Sequence, residues 1–123
     1  MDVRISKISG HGDYKSECVL LEVVADCDIG AYMLADSTYT SENRISNKVR
    51  HTFWFPDKKV KKGDFVSLWT QGGTDTTTTN DAGKTVHRFY WGLKQAVWND
   101  DGDCALLFLI KEWTHFKVAS TKK

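Results

Sequence analysis

Between Phe89 and Ile110 two tryptophans, a polar turn around Gly102 and an apolar β run follow in fixed succession: Phe-Tyr-Trp-Gly-Leu-Lys-Gln-Ala-Val-Trp-Asn-Asp-Asp-Gly-Asp-Cys-Ala-Leu-Leu-Phe-Leu-Ile. Residues of these kinds pack two sheets together and turn the corner between them. The rest of the chain is punctuated in the same way. Short β-branched and aromatic runs alternate with Gly, Asp, Asn and Lys clusters, helical periodicity is weak, and Pro56 is the single proline. Candidate strands cover residues 3–8, 17–25, 31–35, 49–55, 64–70, 85–93, 104–111 and 115–119. About eight to nine short strands with regular breaks predict an all-β sandwich or barrel.

Alternation within these runs assigns faces. Phe53 and Phe55 oppose Trp54, Val66 and Leu68 oppose Phe65, Ser67 and Trp69, and Phe89 and Trp91 oppose Arg88 and Tyr90. Ile5 and Ile8 fall on different faces of an unbroken strand, which predicts a bulge or an early strand end. Residues 71–84, with Gly72-Gly73, four consecutive threonines and Asn80-Asp-Ala-Gly83, read as one long polar loop.

At 123 residues the chain fits one domain, 1–123, large enough to bury a core without a metal or disulfide staple. A formal charge of +1 provides no global field to recruit nucleic acid or an anionic membrane, so charge recognition needs a local patch. Cys18, Cys27 and Cys104 form no C-x-x-C pair, and their odd number leaves one unpaired under any disulfide scheme; a reducing compartment is the expectation. Charges at Asp2, Arg4 and Lys7 interrupt any signal-peptide core, and no apolar run is long enough for a membrane span. A cytoplasmic protein without membrane contact is expected, and the initiating Met and Lys-rich end suit a short complete product.

Several segments carry a resemblance in their order along the chain. They are Glu17-Cys-Val-Leu-Leu-Glu22, then Asp28-Ile-Gly-Ala-Tyr-Met-Leu-Ala-Asp36, then Phe55-Pro56 followed by Val60-Lys-Lys-Gly63 and Phe65-Val-Ser-Leu-Trp69, and last Trp91 through Trp98-Asn-Asp-Asp-Gly-Asp103 to Leu106. Together they resemble the lamin tail domain family, in the manner of a bacterial-type stand-alone member. The resemblance implies an immunoglobulin-like β-sandwich with an interaction role and no catalytic residues. It departs at Ile110-Lys-Glu-Trp-Thr-His115, which lacks the Asp/Gly turn that the family uses in its last hairpin.

The chemistry-bearing residues point the same way. His11, His51, His87 and His115 are scattered, and there is no G-x-S-x-G elbow and no P-loop. No enzyme activity, cofactor or metal is expected. Asn99-Asp-Asp-Gly-Asp103 holds part of a calcium-loop pattern but lacks the remaining ligands, and a turn satisfied by Asp and Asn explains it. An accessory domain of a hydrolytic enzyme, built on Asp100 to Asp103, is a minor reading. Lys58, Lys59, Lys61 and Lys62 could bind phosphates, making a weak nucleic-acid module the main alternative.

The leading reading is a protein-interaction or self-association module, with another protein or a second copy as partner. Residues 104–110 are apolar on both faces, whereas a sandwich covers only one face of each sheet. Leu107 and Leu109, with Leu20 and Val24, are therefore expected to need a second cover, supplied by the 71–84 segment, by a terminal strand or by a partner. Trp113 is a candidate edge anchor or a core tryptophan.

Overall fold

The computed structural model describes residues 1–41, 44–99 and 102–119. It is an all-β sandwich. Among the described residues there are eleven strands: β1 (Val3–Ser9), β2 (Cys18–Val23), β3 (Cys27–Asp28), β4 (Tyr32–Ser41), β5 (Arg44–Ile45), β6 (Thr52–Trp54), β7 (Lys59–Val60), β8 (Phe65–Trp69), β9 (Thr76–Thr79), β10 (Thr85–Tyr90) and β11 (Asp103–Leu109). The first sheet runs β1-β2-β8-β10-β9; the second has β4 at its centre, with β11 on one flank and β5 and β6 on the other. β3 and β7 form a two-residue ladder beside them. Among the described residues no helix is long and apolar enough to cross a membrane.

Period-2 alternation builds the core. Val19, Leu21 and Val23 of β2, Val66 and Leu68 of β8 and Phe89 of β10 meet Tyr32 and Leu34 of β4, with Phe55, Val97 and Trp98 closing the cluster. A register shift between Ile5 and Lys7 turns both Ile5 and Ile8 onto this cluster, so the conflict between them is resolved by the expected bulge.

The strand count exceeds the sequence reading because several strands exist through their partners rather than through local propensity. The segment read as one polar loop contains β9, four exposed threonines paired antiparallel with β10. Gly83, at φ +78°, closes the turn between them, while the Asn80 carboxamide accepts from the Ala82 and Lys84 N–H groups. β10 then slots between β9 and β8, parallel to β8. At the chain's end the difference is reversed. Residues 115–119 form no strand: Ile110 N–H still reaches the Ala31 carbonyl, after which 111–119 run on exposed and outside any ladder.

Two buried carboxylates brace the sandwich across long sequence distances. Glu17, fully buried, accepts from the Thr70 hydroxyl and from the N–H groups of Gly12, Val97 and Trp98. Asp36, also buried, accepts from the His51 N–H at 2.6 Å and lies 3.1 Å from Arg50, whose guanidinium also bonds Asp103 at 3.1 Å.

A third carboxylate makes the fold acid-sensitive. Asp64 accepts from His87 Nε2 at 2.8 Å and from the Lys61 N–H at 3.0 Å. Burial pushes its carboxyl up, but those two hydrogen bonds outweigh burial and hold it below its ordinary value of 3.8. With the folded pKa below the unfolded one, the stabilisation is complete above the unfolded value and is lost as pH falls through the folded value. Asp64→Asn should therefore flatten the loss of stability below about pH 4, measured as melting temperature against pH. An unchanged acid limb would assign that loss to other carboxylates.

Candidate functional site

The outer face of the second sheet carries an apolar row that the ladder registers place side by side. Phe108 of β11 pairs with Met33 of β4, and Met33 pairs with Trp54 of β6. Directly paired residues share a face, so the three side chains form one strip across three strands. The adjoining row is Leu106, Ala35 and Thr52. Trp54 is held in place by donating its indole N–H to the Gly30 carbonyl at 2.8 Å, and Trp113 meets it edge-on at 5.0 Å between ring centroids. Trp54 is 45% exposed, Phe108 37% and Trp113 63%; beyond them Phe116 and Val118 are 94% and 86% exposed.

Beside this strip lies a bare backbone edge. β11 ends the second sheet, with β4 on one side and no described strand on the other. The Tyr39 N–H donates to the Gly102 carbonyl and the Ile110 N–H to the Ala31 carbonyl, so even-numbered residues of β11 turn their backbone toward β4. The odd-numbered Ala105, Leu107 and Leu109 therefore aim their N–H and C=O groups along the outer edge. Such a row is a template for another strand.

The interaction residues expected from sequence are not gathered in one place. Leu107 and Leu109 pack against the core rather than outward, because they pair with the fully buried Leu34 and Tyr32. The outward role falls to Leu106 and Phe108. Leu20 is half-buried on the other sheet, paired with Lys7 and Ser67, and Val24 lines a cleft of about 280 Å³ with Glu22, Lys62, Gly63, Phe65 and Lys84. The 71–84 segment covers none of this second-sheet strip, since it contributes β9 to the far edge of the first sheet. Trp113 alone among the candidates stands at the exposed strip. Trp54 was legible as an outward residue from its opposition to Phe53 and Phe55; Phe108 was not, because both faces of its strand are apolar.

The lysine turn is interleaved with carboxylates. Lys58 bends inward, its Nζ donating to the Thr77 hydroxyl at 2.6 Å and lying 5.9 Å from the Phe89 ring centroid. Lys59 Nζ is 3.9 Å from Asp28, the Lys61 N–H donates to Asp64 and the Lys62 N–H to Asp26. N–H donation from Gly30 and Lys58 holds the Asp28 carboxyl below the usual range, so it stays anionic beside the lysines. On the outer face of the first sheet, Arg88 lies over Trp69 at 4.9 Å and near Tyr90 at 5.9 Å.

Of the acidic turn, Asp100 and Asp101 lie outside the described residues. Asp103 accepts from the Asn99 N–H at 3.1 Å and bonds Arg50, so this carboxylate ties the turn to β4. The Asp36, Arg50, His51 and Asp103 cluster was not visible in the sequence, where its members stand up to 67 positions apart. Among the described residues no group of three or more His, Cys, Asp or Glu side chains is arranged to hold a metal ion. The thiols of Cys18, Cys27 and Cys104 are free, each pushed above its ordinary pKa chiefly by burial, which disfavours a reactive thiolate.

No protein-family model matches this sequence, and no curated protein matches it.

Proposed function

We propose that this chain is a non-enzymatic binding domain of the lamin tail type, immunoglobulin-like in its sandwich, that works by self-association or by holding another protein. The carrying observation is the apolar row of Phe108, Met33 and Trp54, crowned by Trp113 and bordered by the open edge of β11. Tryptophan and phenylalanine at the centre of a patch dominate contact energy, and burying such a side chain is worth ~1.5–3 kcal/mol. An exposed strip of this kind beside an open edge marks a contact site more readily than a solvated face. Free thiols suit a reducing compartment, in keeping with a cytoplasmic location.

The double variant Trp54→Ala, Phe108→Asp should weaken association at least tenfold, read by sedimentation across a concentration series or by titration with a co-purified partner. Its melting temperature should stay within a few degrees of the parent's, since neither side chain belongs to the buried core. Unchanged association would remove this face from the proposal.

The nucleic-acid reading through Lys58, Lys59, Lys61 and Lys62 has less support. One of the four amines is turned in, and Asp26, Asp28 and Asp64 interleave with the rest. The hydrolytic-accessory reading has less still, because Asp103 is already engaged by Arg50 and the Asn99 N–H.

A further inference from the structure

From the same edge and tail we infer that the occupant of the open β11 edge is a second copy of this chain, whose residues 113–119 add to it as the missing outer strand. The inference rests on the reading of this face as a contact surface and names what fills it.

Three observations carry it. The acceptor is unprotected. From Cys104 to Ile110 the strand has no lysine, no proline and no charge, and protein edges that avoid pairing use those devices. The donor is ready-made. Trp113-Thr-His-Phe-Lys-Val-Ala119 alternates two side-chain sets, with Thr114, Phe116 and Val118 on one and Trp113, His115 and Lys117 on the other. Phe116 and Val118 are almost wholly exposed, so within one copy this strand-like segment has nothing to cover.

The third observation counts against the intramolecular solution. Tight hairpins favour Gly, Asn or Asp in the turn, and the link Ile110-Lys-Glu112 has none. Trp113 instead meets Trp54 edge-on, and Trp54 belongs to β6 on the flank of β4 opposite β11. The root of the tail is therefore carried across β4, away from the edge it would have to cover. A strand led away from its own sheet edge can satisfy the same ladder on a second copy, the logic of exchanged strands. Reciprocal exchange would pair two edges and two tails in a closed dimer.

The test is sedimentation of the full chain from about 1 µM to 1 mM with amide hydrogen exchange at both ends of that range. The expected parent is a concentration-dependent dimer whose Ala105, Leu107 and Leu109 amides gain protection as it forms. Leu106 and Phe108, turned toward β4, should be protected throughout. Phe116 and Val118 are 94% and 86% exposed in a single copy, so Phe116→Asp with Val118→Asp should melt like the parent while dimerising about a hundredfold more weakly. A variant dimer as tight as the parent's, with the three outward amides still protected, would overturn tail exchange while leaving self-association through the face intact. A parent that stays monomeric at 1 mM would overturn the exchange and self-association together.

Discussion

Glu17→Ala is expected to lower the unfolding free energy by about 3–5 kcal/mol. One carboxylate oxygen accepts from the Thr70 hydroxyl at 2.7 Å and from the Val97 N–H at 2.6 Å; the other accepts from the Gly12 N–H at 3.2 Å and the Trp98 N–H at 3.4 Å. Those donors come from three separate stretches, the turn before β2, the end of β8 and the segment leading to β11. Truncation would leave buried donors without acceptors, and each orphaned group costs about 1–3 kcal/mol. Urea denaturation should show the loss as a lower midpoint, and heating as a melting temperature reduced by roughly 10–20 °C. Glu17→Gln retains the shape but sets an amide NH2 against N–H donors, so it should recover only part of the stability. A loss under about 1 kcal/mol for the alanine variant would mean that water replaces the carboxylate, and that Glu17 is not a keystone.

Phe89→Ala is expected to cost a further class of energy, about 3–5 kcal/mol from lost packing and the cavity left behind. Phe89 is buried where the two sheets meet, its ring 5.3 Å from Phe55 in an edge-on contact and 6.4 Å from Phe53. The Lys58 amine lies 5.9 Å from the same ring, so the substitution also removes that cation–π contact, while the Thr77 hydroxyl still holds the amine. Equilibrium denaturation of the variant should show a reduced midpoint with little change in slope, as expected for a core defect that leaves the unfolded chain alike. A cost below about 1.5 kcal/mol would mean that Phe53 and Phe55 collapse into the space.

Both predictions concern the rigid body that presents the contact strip, and they differ in how readily the chain disclosed them. Phe89 announces itself: it alternates with Arg88 and Tyr90, so its inward direction follows from neighbours in sequence. Glu17 does not. Apart from Gly12 its partners lie 53 to 81 positions away, and nothing around an isolated glutamate before an apolar strand distinguishes a buried brace from a solvated charge. The same holds for Asp36, which is joined through Arg50 to Asp103 only after β4 and β11 have paired.

The contact strip was half legible. Trp54 is opposite in phase to Phe53 and Phe55, so one face of β6 could be assigned from three residues. In β11 every position from Ala105 to Leu109 is apolar, and a period of two contains no direction when both phases are alike. Leu107 and Leu109 were expected to need a second cover, but they are paired with Leu34 and Tyr32 on the inner side. For residues 115–119 β propensity was real but insufficient, because a strand is a pairing and this segment has no ladder partner among the described residues. The threonines of β9 show the reverse case, a segment with no buried face that becomes a strand because β10 lies next to it.

Local alternation, the lone proline, the Gly and Asp turns and the bulge near Ile5 were properties of the chain by itself, since each depends on residues within a few positions of one another. Which side of β11 faces the core, which carboxylates are buried braces and which edge stays open were decided only by tertiary pairing. Those outcomes depend on contacts between residues far apart in sequence, and a linear pattern carries no term for a neighbour that folding has yet to bring near.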